Sequence, residues 1–412
     1  MAENNDKKVL RALAGSVKNI MEKPVQEERR LLWSRLNSYD LERPLIYIRA
    51  FAFNEVFDAA NVQCVDPDFR RLELHLRMLQ FRDTIGDDFI IEPWIVIPAI
   101  FCEPADDCWG LSTEMYKPNE SILCKGFKPS LIDESDFTKM VKPCIDVDEE
   151  KTALLYEKLN DAIGDIIPVE IDRKHHIATP KSGEIGSDLA KLRGMQQLMI
   201  DVYDRPEWLH KVLGFMRDSI LEAQEKSEAA GYYTLATQDN QAMSYCKELS
   251  GPALNKSVKR SEIWAMMSAQ EFTGYSPEFF EEFIYNYQIP LMENFGMVSY
   301  GCCEDMTNNI TVIKKLKNLR RIAITPYSQV EKCAEQIGGD YIASWRPNPS
   351  LMLALGLDKD AVRKHVRDNF TILKRNGCFF DVTLKDVETI NHQPENVAKW
   401  VQIVREEIIN MF

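Results

Sequence analysis

Two periods of apolar and polar residues alternate along the chain. Residues 6–38 are rich in Lys, Glu, Arg and Leu, and Leu31, Leu32, Trp33 and Leu36 predict helices with one docked face. Arg43-Pro44 then opens a short apolar run, Leu45-Ile46-Tyr47-Ile48, which reads as a first strand. Residues 67–82 carry Leu72, Leu76 and Leu79 on one stripe and predict a helix leading into a second apolar run at 89–96. A helical segment at 148–163 precedes a strand-like 165–170, and amphipathic helices follow at 188–202 and 206–230. From Tyr232 onward the pattern becomes regular. Strands are predicted at 232–236, 298–302, 321–325, 341–344 and 378–384, with helices at 277–296, 308–316, 329–337, 361–374 and 394–409.

Repeated strand–helix units imply right-handed crossovers and a parallel sheet. With about eight strand candidates and a terminal helix, a closed (β/α)8 TIM barrel is favoured over an open sheet. The missing Gly-x-Gly-x-x-Gly after the first strand weakens a dinucleotide-binding fold. Residues 1–42 form an expected N-terminal helical extension and 43–412 the barrel. Within the barrel, the stretch at about 105–143 loses periodicity and collects Pro, Asp, Cys and Gly. A long irregular insertion of this kind covers a site or joins domains.

The formal charge of −14 argues against nucleic acid or an anionic membrane as a partner, since both require a basic face. No apolar run approaches the roughly 20 residues that span a bilayer. The opening Met-Ala-Glu-Asn-Asn-Asp-Lys-Lys lacks a signal peptide's apolar core. Ten cysteines, Cys124 and Cys378 among them, are scattered without a Cys-x-x-Cys, so reduced thiols in a cytoplasmic protein are expected.

The densest chemistry lies in Ser299-Tyr300-Gly301-Cys302-Cys303-Glu304, where a strand gives way to a loop. In a parallel barrel that edge carries the active site. Sulfur beside carboxylate oxygen suits a transition metal, most naturally zinc, although adjacent cysteines are more often ordinary buried thiols. If strand geometry persists, alternation turns only one of Cys302 and Cys303 inward, and the other packs beneath helices or sits on the loop. Glu304 at the mouth is a candidate ligand, base or substrate anchor. The last strand ends in Lys385-Asp386, which can hold a carboxylate or polarise a carbonyl. Arg346 is placed to pair with an anionic group, and Trp345, Tyr327 and Tyr300 to contact a flat or cationic one. Asp239 and Asn240, next to Gln238, complete the expected rim. Cys378, just after the turn signal Asn376-Gly377, falls at the opposite end of its strand. His392 reads as a loop residue, and the adjacent His175 and His176 have poor geometry for sharing one metal.

The blocks Tyr300-Gly-Cys-Cys-Glu304, Asn318-Leu-Arg-Arg-Ile322, Arg346-Pro-Asn-Pro349 and Thr383-Leu-Lys-Asp386, with Pro394-Glu-Asn-Val and Trp400, resemble the uroporphyrinogen decarboxylase superfamily. More closely, they look like its corrinoid-dependent methyltransferase branch. Weaker echoes reach back through 201–210 to Arg43-Pro44. The resemblance implies a (β/α)8 barrel that moves a methyl group between a small methylated substrate and a cobalamin carried by a separate corrinoid-binding protein. It also admits a homodimer. That branch holds zinc through a His-x-Cys pair and a later Cys. Here Tyr300 or Gly301 stands in place of the histidine, and Lys385 or Asp386 in place of the late cysteine. An altered zinc set of Cys302, Cys303, Glu304 and Asp386 is the expectation, with Glu304, Asp386 and Lys385 catalytic. The alternatives are a decarboxylase of the superfamily's other branch and a non-catalytic small-molecule-binding barrel. Decarboxylation calls for an Arg-rich N-terminal loop, whereas Arg49 stands alone in residues 43–53 once the strand begins.

Overall fold

The computed structural model describes residues 2–41, 43–49, 51–57, 61–103, 108–116, 126–180, 185–354 and 356–412. Cys124 lies outside them, as do parts of the predicted insertion. Among the described residues ten strands occur in chain order: β1 (Leu45–Ile48), β2 (Ile95–Pro98), β3 (Glu114–Tyr116), β4 (Gly126–Lys128), β5 (Val169–Asp172), β6 (Trp264–Met267), β7 (Met297–Tyr300), β8 (Leu319–Ile324), β9 (Ile342–Trp345) and β10 (Phe379–Leu384). Six of them form a parallel sheet ordered β1-β10-β9-β8-β7-β6, and β2 and β5 form a separate parallel pair. The antiparallel hairpin β3–β4 lies in the predicted insertion.

The result is a mixed α/β fold with a six-stranded parallel half-barrel. Its ladders do not close into a complete (β/α)8 ring among the described residues, and one of the two open edges is that of β1. The Ile46 and Ile48 N–H groups donate to the carboxylates of Asp88 (2.8 Å) and Asp87 (2.9 Å) instead of to a β2 backbone. Arg82 holds Asp87 at 2.8 Å and also donates to the Ile48 carbonyl. Side chains thus satisfy an edge that a neighbouring strand would otherwise pair.

One predicted strand is corrected. Residues 232–236 contribute only an isolated antiparallel bridge from Thr234 to Ser257. The missing parallel strand is β6, whose four residues are all buried. A fully buried strand reads as a plain apolar run, and Trp-Ala-Met-Met offers neither alternation nor β-branched residues to distinguish it from helix.

The N-terminal helices α1 (Ala2–Met21) and α2 (Pro24–Asn37) pack differently. Leu10, Ala14 and Val17 of α1 share a core with Leu72 and Leu76 of α3 (Pro67–Ile85) and Leu159 of α4 (Glu149–Ile163). The end of α2 meets the sheet where its strands begin. Asn37 accepts from Arg321 at 2.6 Å and donates to the Met243 and Tyr245 carbonyls. Arg321 of β8 in turn pairs with Asp381 of β10, both fully buried, and Ser344 donates to the same carboxylate at 3.1 Å. This polar network inside the sheet leaves the opposite, C-terminal edge open for chemistry. No helix among the described residues is long and apolar enough to cross a membrane.

Candidate functional site

At the end of β7 the chain turns sharply through Gly301. Its φ of +103° is left-handed, and an added Cβ would lie 2.8 Å from the Ala323 side chain. Glycine is required for both reasons. The turn carries Cys302, Cys303 and Glu304 over the ends of β7 and β8, and Arg346 fastens it from β9. That guanidinium is 1% exposed and donates to the Gly301 carbonyl at 3.2 Å and to the Cys302 carbonyl. Gln241, itself at a φ of +76°, also donates to the Gly301 carbonyl.

Glu304 does not face solvent at the rim as expected. It is 2% exposed, and its two oxygens accept from the Ala269 N–H (2.9 Å) and the Cys302 N–H (2.7 Å). Burial raises its pKa, against the opposing pull of those backbone donors. Its structural work is to tie the Cys-Cys turn to the chain beyond β6.

Lys385, at the end of β10, reaches under both thiols. Its Nζ is 3.1 Å from Cys302 Sγ, 3.1 Å from Cys303 Sγ and 3.1 Å from Asp386 Oδ2. The sulfurs are 3.7 Å apart, and the Cys303 thiol also approaches Asp386 at 3.4 Å. Cys302 is pulled well below the ordinary thiol range, first by the hydrogen bond from Cys303 and then by the charges of Lys385 and Arg346, which together outweigh burial. The same hydrogen bond, with burial, pushes Cys303 far upward. The pair therefore shares one proton at neutral pH. Burial and Arg346 act to lower the Lys385 pKa, but the Cys302 thiolate and Asp386 prevail and raise it. The site is a thiolate–ammonium pair at the floor of a cavity of about 510 Å³, a size suited to a small molecule.

Of the residues expected at the rim, Cys302, Cys303, Tyr327, Arg346, Lys385 and Asp386 all line this cavity. Tyr327 is 74% exposed and free to cover a ligand. Others are corrected. Tyr300 is fully buried and donates to Gln288 at 2.6 Å, because strand alternation turns it toward the helices. Trp345 is likewise buried against His365 and Phe370. Asn240 is buried in a tight turn, donating to the Met243 carbonyl and accepting from the Ala242 N–H. Asp239 faces Arg49 at 3.5 Å, apart from the residues lining the cavity. Cys378 sits at the start of β10, its thiol on the Ala334 carbonyl, at the far end of the strand as expected. His392 is an exposed loop residue whose N–H donates to Glu55. The contribution of Gln241 has no sequence signal, since it depends on a left-handed backbone at a non-glycine residue.

The expected zinc set fits this geometry poorly. Both Glu304 oxygens are engaged by backbone donors, and the Lys385 ammonium already lies between the two sulfurs and the Asp386 carboxylate. Among the described residues, these side chains do not assemble three ligand atoms within reach of one ion. The cation that balances the thiolate here is a protein ammonium.

No family model matches the chain, and no curated protein matches it. Among solved structures, the chain is similar to a methyltransferase from Methanosarcina mazei. The TM-score is 0.47 at 11% identity, covering 92% of this chain and 97% of that one. The likeness is too distant to carry an argument, so the functional reading rests on the residues.

Proposed function

We propose that this chain is a methyltransferase component that moves a methyl group between a small methylated substrate and a cobalamin carried on a separate corrinoid-binding protein. The observation that carries the reading is Lys385: a buried, charged proton donor held at the floor of a small-molecule cavity by a thiolate and a carboxylate. The sequence blocks around Cys302, Arg346 and Lys385 supply the resemblance from which the reaction class is drawn.

The partner's corrinoid supplies the cobalt centre that exchanges the methyl group. The chain itself binds and orients the donor and stabilises its leaving group. Tyr327 and the flanking Pro326 and Pro347 give the cavity apolar and stacking walls. As the bond from methyl carbon to heteroatom breaks, the electron pair stays on the heteroatom, and Lys385 donates a proton to it. Cys302 and Asp386 keep Lys385 charged and fixed before the donor arrives. Arg346 acts through the backbone, holding the turn that presents Cys302. No step requires zinc in this cavity.

The test is to incubate the purified protein with free cob(I)alamin and a panel of methoxyaromatics, methylamines and betaines, following methylcobalamin by its absorbance. Formation with at least one donor supports the reading. If no donor reacts, the methyltransferase assignment fails; release of carbon dioxide from a porphyrinogen would replace it with the decarboxylase alternative.

A further inference from the structure

We propose that Cys108, His176 and Asp188 form a zinc site among the segments that follow the separate parallel pair β2 and β5. Cys108 follows β2, His176 lies four residues beyond β5, and Asp188 is in the first turns of the helix Ile185–Arg193. Three separate segments thus converge, and one ligand atom from each lies within 4.8 Å of the others. The decisive distance is between Cys108 Sγ and His176 Nε2, 3.6 Å. Tetrahedral zinc with bonds of about 2.3 Å to sulfur and about 2.0–2.1 Å to nitrogen separates those two atoms by about 3.5–3.6 Å. The pair already has the edge length of the coordination polyhedron.

Two further features suit a metal. Trp109 Nε1 donates to Asp188 Oδ2 at 2.9 Å and so fixes the carboxylate, as outer-shell donors do around metal ligands. The three ligands also border a cavity of about 280 Å³, which leaves space for a fourth ligand such as water. Thiolate, imidazole and carboxylate together select zinc over magnesium or calcium, which prefer oxygen alone. Lys191, on a half-exposed side chain, lies 3.4 Å from Asp188 Oδ1 and lines the same cavity. With three protein ligands and an open position, the site has the composition of a reactive zinc centre rather than a closed structural one. It also ties Cys108 to the segment after β5 and to the helix Ile185–Arg193.

The experiment uses the full chain, stripped with a chelator and reloaded with zinc or cobalt(II) alone. One metal per chain is expected, and cobalt should give an intense tetrahedral visible spectrum with a thiolate charge-transfer band. His176→Gln and Asp188→Asn, both at accessible side chains, should lose the metal with the circular dichroism unchanged. Trp109→Phe should weaken binding by about 10–100-fold, and the double variant Cys302→Ser/Cys303→Ser should bind as the parent does. The proposal is overturned if the parent chain binds no metal, if cobalt gives a weak octahedral spectrum, if binding survives both His176→Gln and Asp188→Asn, or if it vanishes with Cys302 and Cys303. Cys108 alkylation that is fast and indifferent to added zinc would instead identify a metal-free thiol–imidazole pair. Because the titration needs no substrate, its outcome is independent of the methyltransferase reading.

Discussion

Replacing Lys385 by Met removes one positive charge 3.1 Å from both sulfurs while keeping an unbranched side chain of similar length. At that separation a unit charge is worth about 5 kcal/mol at an effective dielectric of about 20, and about 1 kcal/mol at that of bulk water. Lys385 is 7% exposed but borders an open cavity, so the effect falls between these limits. Divided by about 1.4 kcal/mol per unit, it raises the Cys302 pKa by about 1–4 units. The assay is the rate of iodoacetamide alkylation at Cys302 as a function of pH, with the modified sulfur located by fragment mass spectrometry. In the parent chain alkylation should persist well below the ordinary thiol midpoint of about 8.5. In Lys385→Met the midpoint should move upward, so reactivity at neutral pH falls. An unmoved midpoint would refute the claim that this ammonium holds the thiolate.

Four other outcomes follow from the same geometry. Glu304→Gln keeps one acceptor but sets an amide N–H against a backbone donor, costing about 1–3 kcal/mol in denaturant unfolding. Because burial raises the Glu304 pKa, its contribution is fully present below the unfolded value of about 4.3 and is lost as pH rises through the folded one. The stability gap between parent and Glu304→Gln should therefore narrow over that window; a gap that widened would reverse the assignment. Arg321→Met strands the buried Asp381 carboxylate and should destabilise the chain by about 3–5 kcal/mol, whereas a loss under 1 kcal/mol would mean that Asn37 and Ser344 do not depend on the pair. Tyr327→Ala should leave stability within about 0.5 kcal/mol yet raise KM for the methyl donor, while Tyr300→Phe should cost about 1 kcal/mol through the lost bond to Gln288.

Much of the half-barrel was legible because its strands and helices announce themselves by period. The runs that became β1 and β7 to β10 were placed within a few residues, and the edge where Cys302, Arg346 and Lys385 meet followed from strand direction alone. β6 escaped because a buried Trp-Ala-Met-Met carries no alternation. The break beside β1 escaped because it depends on Asp87 and Asp88 acting as acceptors, a tertiary fact with no local signature. Side-chain facing was the harder problem. Alternation sends Tyr300 and Trp345 to the helix layer, yet the sequence alone does not say where strand geometry stops and the loop begins. Glu304 looked like a rim carboxylate because charge predicts exposure; two backbone donors made its burial tenable. The convergence of Cys108, His176 and Asp188 was invisible, since the three are dispersed over about eighty residues and meet only through the packing of the β2 and β5 connections.

The proposed methyl transfer in the cavity above Cys302 uses Lys385 as its proton donor. Its most direct test is single-turnover methylation of cob(I)alamin by the parent chain and by Lys385→Met with two matched donors, one with a poor phenolate leaving group and one activated by an electron-withdrawing substituent. Lys385→Met should lose far more rate with the poor leaving group than with the activated one, since only the former requires the proton. Equal losses with both donors, or undiminished turnover in the variant, would contradict it.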